Sequence, residues 1–333
     1  MTRSEATRQA PEVKHVKMNL KTAEFLLDLW LPAIRATIRP STYQGYAAIV
    51  SNHVVPSVGD LALEDISAQH LNALYARLLS SGRLFNKTPL SPASVIRVHA
   101  VLRRAFRDAV RWGYMGDNPA SNADPPKQRM GGSHLQTWTS EELRRFLAAA
   151  SADEHHLLWV LLAMTGMRRG EVLGLRWQDL DLENGLVLVR QTVIAIGGKV
   201  EFSTPKTAHG RRIVALDPVT LHTFRKTCGY DQRDPDDLIF CDSIGQPLFG
   251  PTVTKQFNRI VAAAGLPRIR LHDLRHTHAT LALQLGIHPK IVSERLGHST
   301  VAFTLDIYSH ATPHMQAEAA LQIGGLISDA RIS

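Results

Sequence analysis

Between Asp117 and Gln136 the chain reads DNPASNADPPKQRMGGSHLQ, and no other stretch constrains the fold as much. Proline, glycine, asparagine and serine dominate it, and its few apolar residues keep neither helical nor strand spacing. A stretch without apolar periodicity reads as a connection between packed regions. A chain of 333 residues interrupted this way reads as two domains joined by a linker. Residues 1–17 read as a polar tail, 18–120 as a helical domain, 121–136 as the linker and 137–333 as a second domain.

In the first domain Phe25, Leu26, Leu29 and Trp30 recur at helical spacing, and another helix begins near Pro40 and Ser41. Ser67 to Leu79 reads as a helix ending at Gly82. The stretch from Ser91 to Trp112 says more. Wound at about 100° per residue, Val95, Val98, Leu102, Phe106 and Ala109 gather on one side. Arg97, Arg103, Arg104, Arg107 and Arg111 fall within an arc of about 120° on the other, with only Asp108 interrupting. A solvated helix face mixes its signs more evenly, so the stripe is read as arginines laid along a phosphate backbone. A merely soluble face is the competing reading.

The second domain opens with Thr139-Ser140-Glu141-Glu142, a capping box ahead of Leu143, Phe146 and Leu147. Leu186 to Ile196 is rich in Val, Leu and Ile. The Gly197-Gly198 turn and Val200 to Phe202 follow, and Arg212 to Leu216 resumes the pattern. This predicts one small three-stranded antiparallel sheet in an otherwise helical domain. The fold class is therefore mainly α with a small antiparallel β-sheet.

Charge narrows the partners. A net charge of +8 and a pI near 9.7 favour a polyanion, either nucleic acid or an anionic membrane surface. The membrane is disfavoured, because the longest apolar run, Leu157 to Met164, falls far short of the roughly 18–20 residues a span needs. The N-terminus lacks the apolar segment of a secretory signal. Cys228 and Cys241 are too few for a disulfide framework and too far apart for a metal or redox motif, which fits a reduced cytoplasmic compartment.

Four segments of the second domain carry chemistry. In Thr165-Gly166-Met167-Arg168-Arg169-Gly170-Glu171 a glycine breaks an apolar helix and arginines stand where the next begins, a position that favours anions. Taken alone, this could be a surface turn with incidental charge. In Leu271-His272-Asp273-Leu274-Arg275-His276 the histidine and arginine are three apart, on one helical face, where they can hold a phosphate and move a proton beside it. Arg295-Leu296-Gly297-His298-Ser299 puts a histidine after a helix-ending glycine. Asp306-Ile307-Tyr308-Ser309-His310 supplies a tyrosine. His272 and His276 are spaced to chelate zinc, but the segment lacks the glutamate of HExxH and Arg275 would set a cation beside the metal.

In this order and at these intervals the segments resemble the tyrosine recombinase (phage integrase) family, over roughly residues 18–315. The resemblance implies a helical core-binding domain, SAM-like, and an integrase-type catalytic domain ending in a tail helix. It maps the family arginines onto Arg168 (with Glu171 as structural companion) and Arg275, and the T-G-x-R spacing favours Arg168 over Arg169. It maps the histidines onto His272 and His298, the hairpin-loop lysine onto Lys206, and the nucleophile onto Tyr308.

The implied reaction is attack of Tyr308 on a DNA phosphodiester, through a 3′-phosphotyrosine link and with neither metal nor ATP. The implied partners are double-stranded DNA attachment sites, a homotetramer on DNA, and accessory DNA-bending and excision factors. No membrane is implied, and the location is the cytoplasm, at the nucleoid. The neighbourhood of Tyr308 favours the integrase of a phage or integrative mobile element. Resolution of chromosome dimers, a type IB topoisomerase and a regulator with a decayed active site are the alternatives. With 17 residues ahead of the core-binding region, an arm-binding domain is expected to be absent or removed.

Overall fold

Apolar side chains collect into two large cores, and the chain divides between them into two compact units, Met1–Gly131 and Gly132–Ser333. The computed structural model describes residues 20–84, 86–127, 136–204, 210–227, 234–298, 300–308, 320, 321 and 323–325. Among them the fold is mainly α-helical, with two small antiparallel sheets, both in the second unit.

The first unit starts helical at Thr22 and widens into π turns over Phe25–Trp30. The widened turns bring Phe25, Leu26 and Trp30 fully inward and leave Leu29, expected beside them, 36% exposed. Helices α1 (Pro40–Ile49), α2 (Ala68–Ser81) and α3 (Pro92–Arg111) follow. Ser67 caps α2 by accepting the His70 N–H, Gly82 closes it, and Ser91 caps α3 by accepting the Ser94 N–H. Each cap contributes about 1 kcal/mol. Val95, Val98, Leu102, Phe106 and Ala109 are all buried, as the helical wheel requires, and burial of each larger one contributes about 1.5–3 kcal/mol. Packing, more than propensity, therefore holds α3 in place.

Asp108 is the exception to the sequence reading. It belongs to the core and not to the polar face: it is buried and accepts a hydrogen bond of 3.0 Å from the Trp30 indole. The arginine arc of α3 is thus uninterrupted on its outer side.

The second unit opens on helix α4 (Ser140–Ala149), whose N-terminus carries the expected reciprocal capping box between Thr139 and Glu142. Trp138 precedes it and packs with Phe146 and Phe257, both of which meet Trp159. Helices α5 (His156–Thr165) and α6 (Arg169–Leu173) lead into strands β1 (Leu180–Asp181), β2 (Leu186–Val189), β3 (Thr192–Ile196), β4 (Lys199–Ser203) and β5 (Arg212–Ala215). Helices α7 (Pro218–Thr227), α8 (Gly250–Ala263), α9 (Asp273–Gln284), α10 (Pro289–Leu296) and α11 (Val301–Tyr308) complete the unit.

The single predicted sheet is corrected to two. The run from Leu186 to Ile196 breaks at Arg190 and Gln191, where the Gln191 amide turns aside to the Gly174 carbonyl at 2.8 Å. One sheet has the order β1-β2-β5, with Val189 opposite Arg212; the other is the β3-β4 hairpin. β1 is two residues long, too short to show any alternation in sequence.

Candidate active site

The site is assembled at helix ends. Helix α5 is apolar along nearly its whole length and stops at Gly166, which adopts φ +64°. A side chain there would meet Leu296 at 2.6 Å and His278 at 2.9 Å, so the turn lies tight against α10 and α9. Arg168 follows as the residue capping α6. Its backbone N–H donates to Glu171 at 2.9 Å, and its guanidinium donates to Glu171 at 2.7 Å and to the Gly297 carbonyl at 3.1 Å. Arg168 keeps 42% of its side-chain surface open. Arg169 turns the other way, onto the Gly250 carbonyl and the Thr254 hydroxyl, where it ties α6 to α8.

Glu171 is buried and receives both Arg168 and Arg212. Burial alone would raise its pKa. The bonds and charge of Arg212, then the charge of Arg168, outweigh that and hold it below the usual carboxylate range.

Helix α9 supplies the second arginine. Arg275 is 3% exposed and donates to the Gly166 carbonyl at 2.8 Å, reaching back to the turn that carries Arg168. His272 caps the same helix and is exposed at its end, with its ring edge-on to His276 at 5.2 Å. Its pKa is lowered, by partial desolvation of the ring and by the charges of His276 and Arg275. Thr277, one turn along α9, accepts the Trp138 N–H at 3.1 Å, which fixes the helix against the aromatic core.

His298 follows Gly297, the left-handed residue that ends α10. It is buried, and its Nδ1 lies 2.8 Å from the Thr304 hydroxyl. Desolvation, then the charges of Arg275 and Arg168, push its pKa down to about 3. Thr304 lies in α11, and that helix ends one turn later at Tyr308, so His298 is bonded to the helix that bears the tyrosine. The Tyr308 side chain lies outside what the structure describes, as do Lys206 and the tail beyond residue 325.

The structure thus brings Arg168, Glu171, Arg275, His272 and His298 near one another, with His298 bonded to α11. The five arginines of α3 belong to the first unit. Sequence reasoning missed Arg212, which bonds Glu171, and also missed that Arg295 donates to His278 at 3.2 Å and to the Met164 carbonyl at 3.1 Å. Arg212 reads in sequence only as the start of a strand, and no spacing rule ties it to a glutamate 41 residues earlier. His272 and His276 do not form a metal cluster with other ligand-type residues; among the described residues there is no such group of three. No helix of the described residues is long and apolar enough to cross a membrane.

Comparisons with known proteins agree with this layout. Residues 136–315 match the model of the phage integrase family, and residues 22–79 match that family's N-terminal SAM-like domain. A tyrosine recombinase described as XerC-like, from Caldanaerobacter subterraneus, is 26% identical over 90% of this chain and 82% of its own length. The ICEBs1 integrase of Bacillus subtilis is 24% identical over 91% of this chain and 82% of its own. Among solved structures, the Tn1549 transposon integrase in complex with a circular intermediate DNA superposes with a TM-score of 0.74. It is 21% identical and covers 91% of this chain and 99% of that one. On sequence, fold and the two-part match together, this chain belongs to the phage integrase family and is a tyrosine recombinase of the integrase type.

Proposed function

We propose that the chain cuts and rejoins attachment-site DNA with Tyr308 as nucleophile, and that Arg168, Arg275, His272, His298 and Lys206 carry the chemistry around it. The observation that supports this most is the grouping of two arginines with two histidines, one of which, His298, is bonded to the helix that ends in Tyr308. The phenolic oxygen attacks the phosphorus and forms a 3′-phosphotyrosine bond while the bond to the 5′-oxygen breaks. A tyrosine with a pKa near 10 is ionised in only about one molecule in a thousand at neutral pH, so a proton acceptor is required. His272, its pKa lowered, is neutral at neutral pH and serves as that acceptor. The charge that gathers on the non-bridging oxygens meets Arg168 and Arg275, and His298 adds a hydrogen bond. Lys206 protonates the departing 5′-oxygen.

Two fixed arginines neutralise the phosphate, so the step is proposed to run without a metal ion. The phosphotyrosine bond conserves the energy of the cleaved one, so it is proposed to run without ATP. A 5′-hydroxyl from another strand then reverses the chemistry and exchanges partners. Exchange between two duplexes cuts four strands, and each chain carries one Tyr308, so the working assembly is a homotetramer on DNA. The arginine face of α3 grips the backbone, the 18–120 region acts as core-binding domain and 137–333 as catalytic domain. Accessory bending and excision factors set direction, and the site of action is the nucleoid. The tail beyond Tyr308 docks on the neighbouring copy, and a chain truncated after residue 312 that still assembles and recombines normally would refute that docking.

The deciding experiment incubates DNA flanking the gene with wild type and with Tyr308→Phe, without metal or ATP, and looks for a denaturant-resistant adduct. An adduct with wild type alone is expected. Adducts with both proteins would mean that another residue is the nucleophile.

A further inference from the structure

Arg212 lies at the start of β5, 6% exposed at its side chain, and makes bonds in three directions. Its two terminal nitrogens donate to both Glu171 oxygens, at 3.2 and 2.8 Å, and its Nε donates to the Arg295 carbonyl at 2.7 Å. One terminal nitrogen also reaches the Gly210 carbonyl at 3.3 Å. Glu171 passes the connection to Arg168 through two further bonds, of 2.7 and 2.9 Å. Arg168 passes it to the Gly297 carbonyl at 3.1 Å, two residues along the backbone from Arg295. The circuit closes: β5, α6 and the end of α10 are joined in a ring of bonds of which Arg168 is the open member.

We propose that Arg212 is a positioning residue for the reaction, holding Arg168 and the Gly297–His298 turn in one fixed relation so that both meet the same phosphate. The proposal rests on the reading of Arg168 and His298 as the groups that receive that phosphate. Without Arg212 the Glu171 carboxylate keeps only Arg168 as a cationic partner and pulls it inward, away from an anion. The turn bearing His298 loses its tie to β5 in the same event. A lysine in place of Arg212 keeps the charge, but one ammonium cannot span a carboxylate and a carbonyl set at these angles, whereas the planar fork of arginine does.

A buried ion pair that only stabilised the fold would change melting and leave the rate per folded molecule alone. Two variants separate the cases. Arg212→Lys keeps the charge balance, and Arg212→Gln combined with Glu171→Gln removes the ring without stranding a buried charge, with Glu171→Gln alone as the control for the bonds that Arg168 itself loses. On the DNA that gives the wild-type adduct, both are expected to bind with affinity close to that of wild type and to form adduct about 10²-fold more slowly, the cost of a misplacement near 1 Å. In parallel and without DNA, binding of inorganic sulfate is followed by the ring resonances of His298. Here the variants are expected to bind about tenfold more weakly, one good charge-assisted contact being lost. A folded variant with wild-type adduct rate and wild-type sulfate affinity overturns the proposal, whatever its melting temperature. Should wild type itself yield no adduct, the catalytic reading of Tyr308 fails separately. Sulfate then decides alone: unchanged affinity refutes the role of Arg212 and weakened affinity upholds it.

Discussion

The two units use the same residue in opposite ways. On α3 of the first unit, Arg97, Arg103, Arg107 and Arg111 stand exposed in a row of one sign, and among the described residues only Arg111 pairs with a carboxylate, Asp108 at 3.1 Å. In the second unit Arg275 is buried, the Arg212 side chain is 6% exposed, and Arg169 and Arg295 are half-buried; all four donate to carbonyls, hydroxyls, histidine or carboxylate. An exposed arginine supplies charge that acts through water and falls with salt. A buried one supplies direction, because each N–H already has a fixed angle when the phosphate arrives. Affinity for DNA should therefore reside in the first set and rate in the second.

The strongest test of that division removes one arginine from the second unit. Arg275→Ala and Arg168→Ala should each lower the rate of adduct formation at saturating protein by at least about 10²–10³-fold, as loss of a preorganised donor does. Binding of DNA, measured by fluorescence anisotropy, should change far less. Loss of binding in step with rate would break the division. Arg275→Ala also removes the bond to Gly166 O, so its melting temperature should fall further than that of Arg168→Ala.

Burial also separates the units by their response to acid. His298 and His278 of the second unit have pKa values pushed down to about 3 and about 4, mainly by desolvation, against an ordinary 6.5. Both are neutral in the folded chain and take up a proton near pH 6.5 when it unfolds. The unfolded state thus binds more protons between about pH 6.5 and 4, and stability is lost as pH falls through that window. At pH 5.5 each contributes a loss of about 1 kcal/mol, and each kcal/mol lowers the melting temperature of a unit this size by about 2–4 °C. In the first unit His53 and His99 are lowered in the same direction, also by desolvation first, but they are only partly buried. Calorimetry at pH 7.5 and 5.5 should show the second unit's transition move down further than the first's. Equal movement would mean that the site histidines are solvated.

Much of this organisation was legible in the sequence, and the reason is local. Ser67, Gly82, Ser91 and the Thr139–Glu142 box end or begin helices because their backbone groups need partners within three or four residues. The Thr165–Glu171 and His272–Arg275 segments were visible for the same reason: turn and face are set by near neighbours. The ring through Arg212, Glu171 and Arg295 was not visible, because its members are 41 and 83 residues apart and meet only once α6, β5 and α10 pack. Asp108 misled for a related reason. A carboxylate among arginines reads as surface until the Trp30 indole, 78 residues away, is found bonded to it.

Gly166 tests how tightly the second unit's directions are set. Alanine there must adopt φ +64° and meets Leu296 and His278 within 3 Å, so Gly166→Ala should cost about 1–3 kcal/mol of stability. It should also slow adduct formation per folded molecule, since the displaced atoms include the carbonyl that Arg275 grips. A variant that melts earlier and reacts at the wild-type rate would show that the arginine angles tolerate movement.

The smallest effect probes the first unit one charge at a time. Arg103 is exposed and has no carboxylate partner among the described residues, whereas Arg104 lies 5.6 Å from the Tyr46 ring, which in turn stacks on Trp30. Replacing either with alanine removes one phosphate contact, so the slope of log affinity against log salt should shrink by about 0.9 in both. Only Arg104→Ala also gives up a cation–π contact, worth about 0.5–1 kcal/mol, and should melt slightly earlier. Neither should alter the adduct rate once DNA is saturated. If Arg103→Ala slows that rate, the exposed row does more than hold DNA, and the separation between charge and direction fails on its own simplest case.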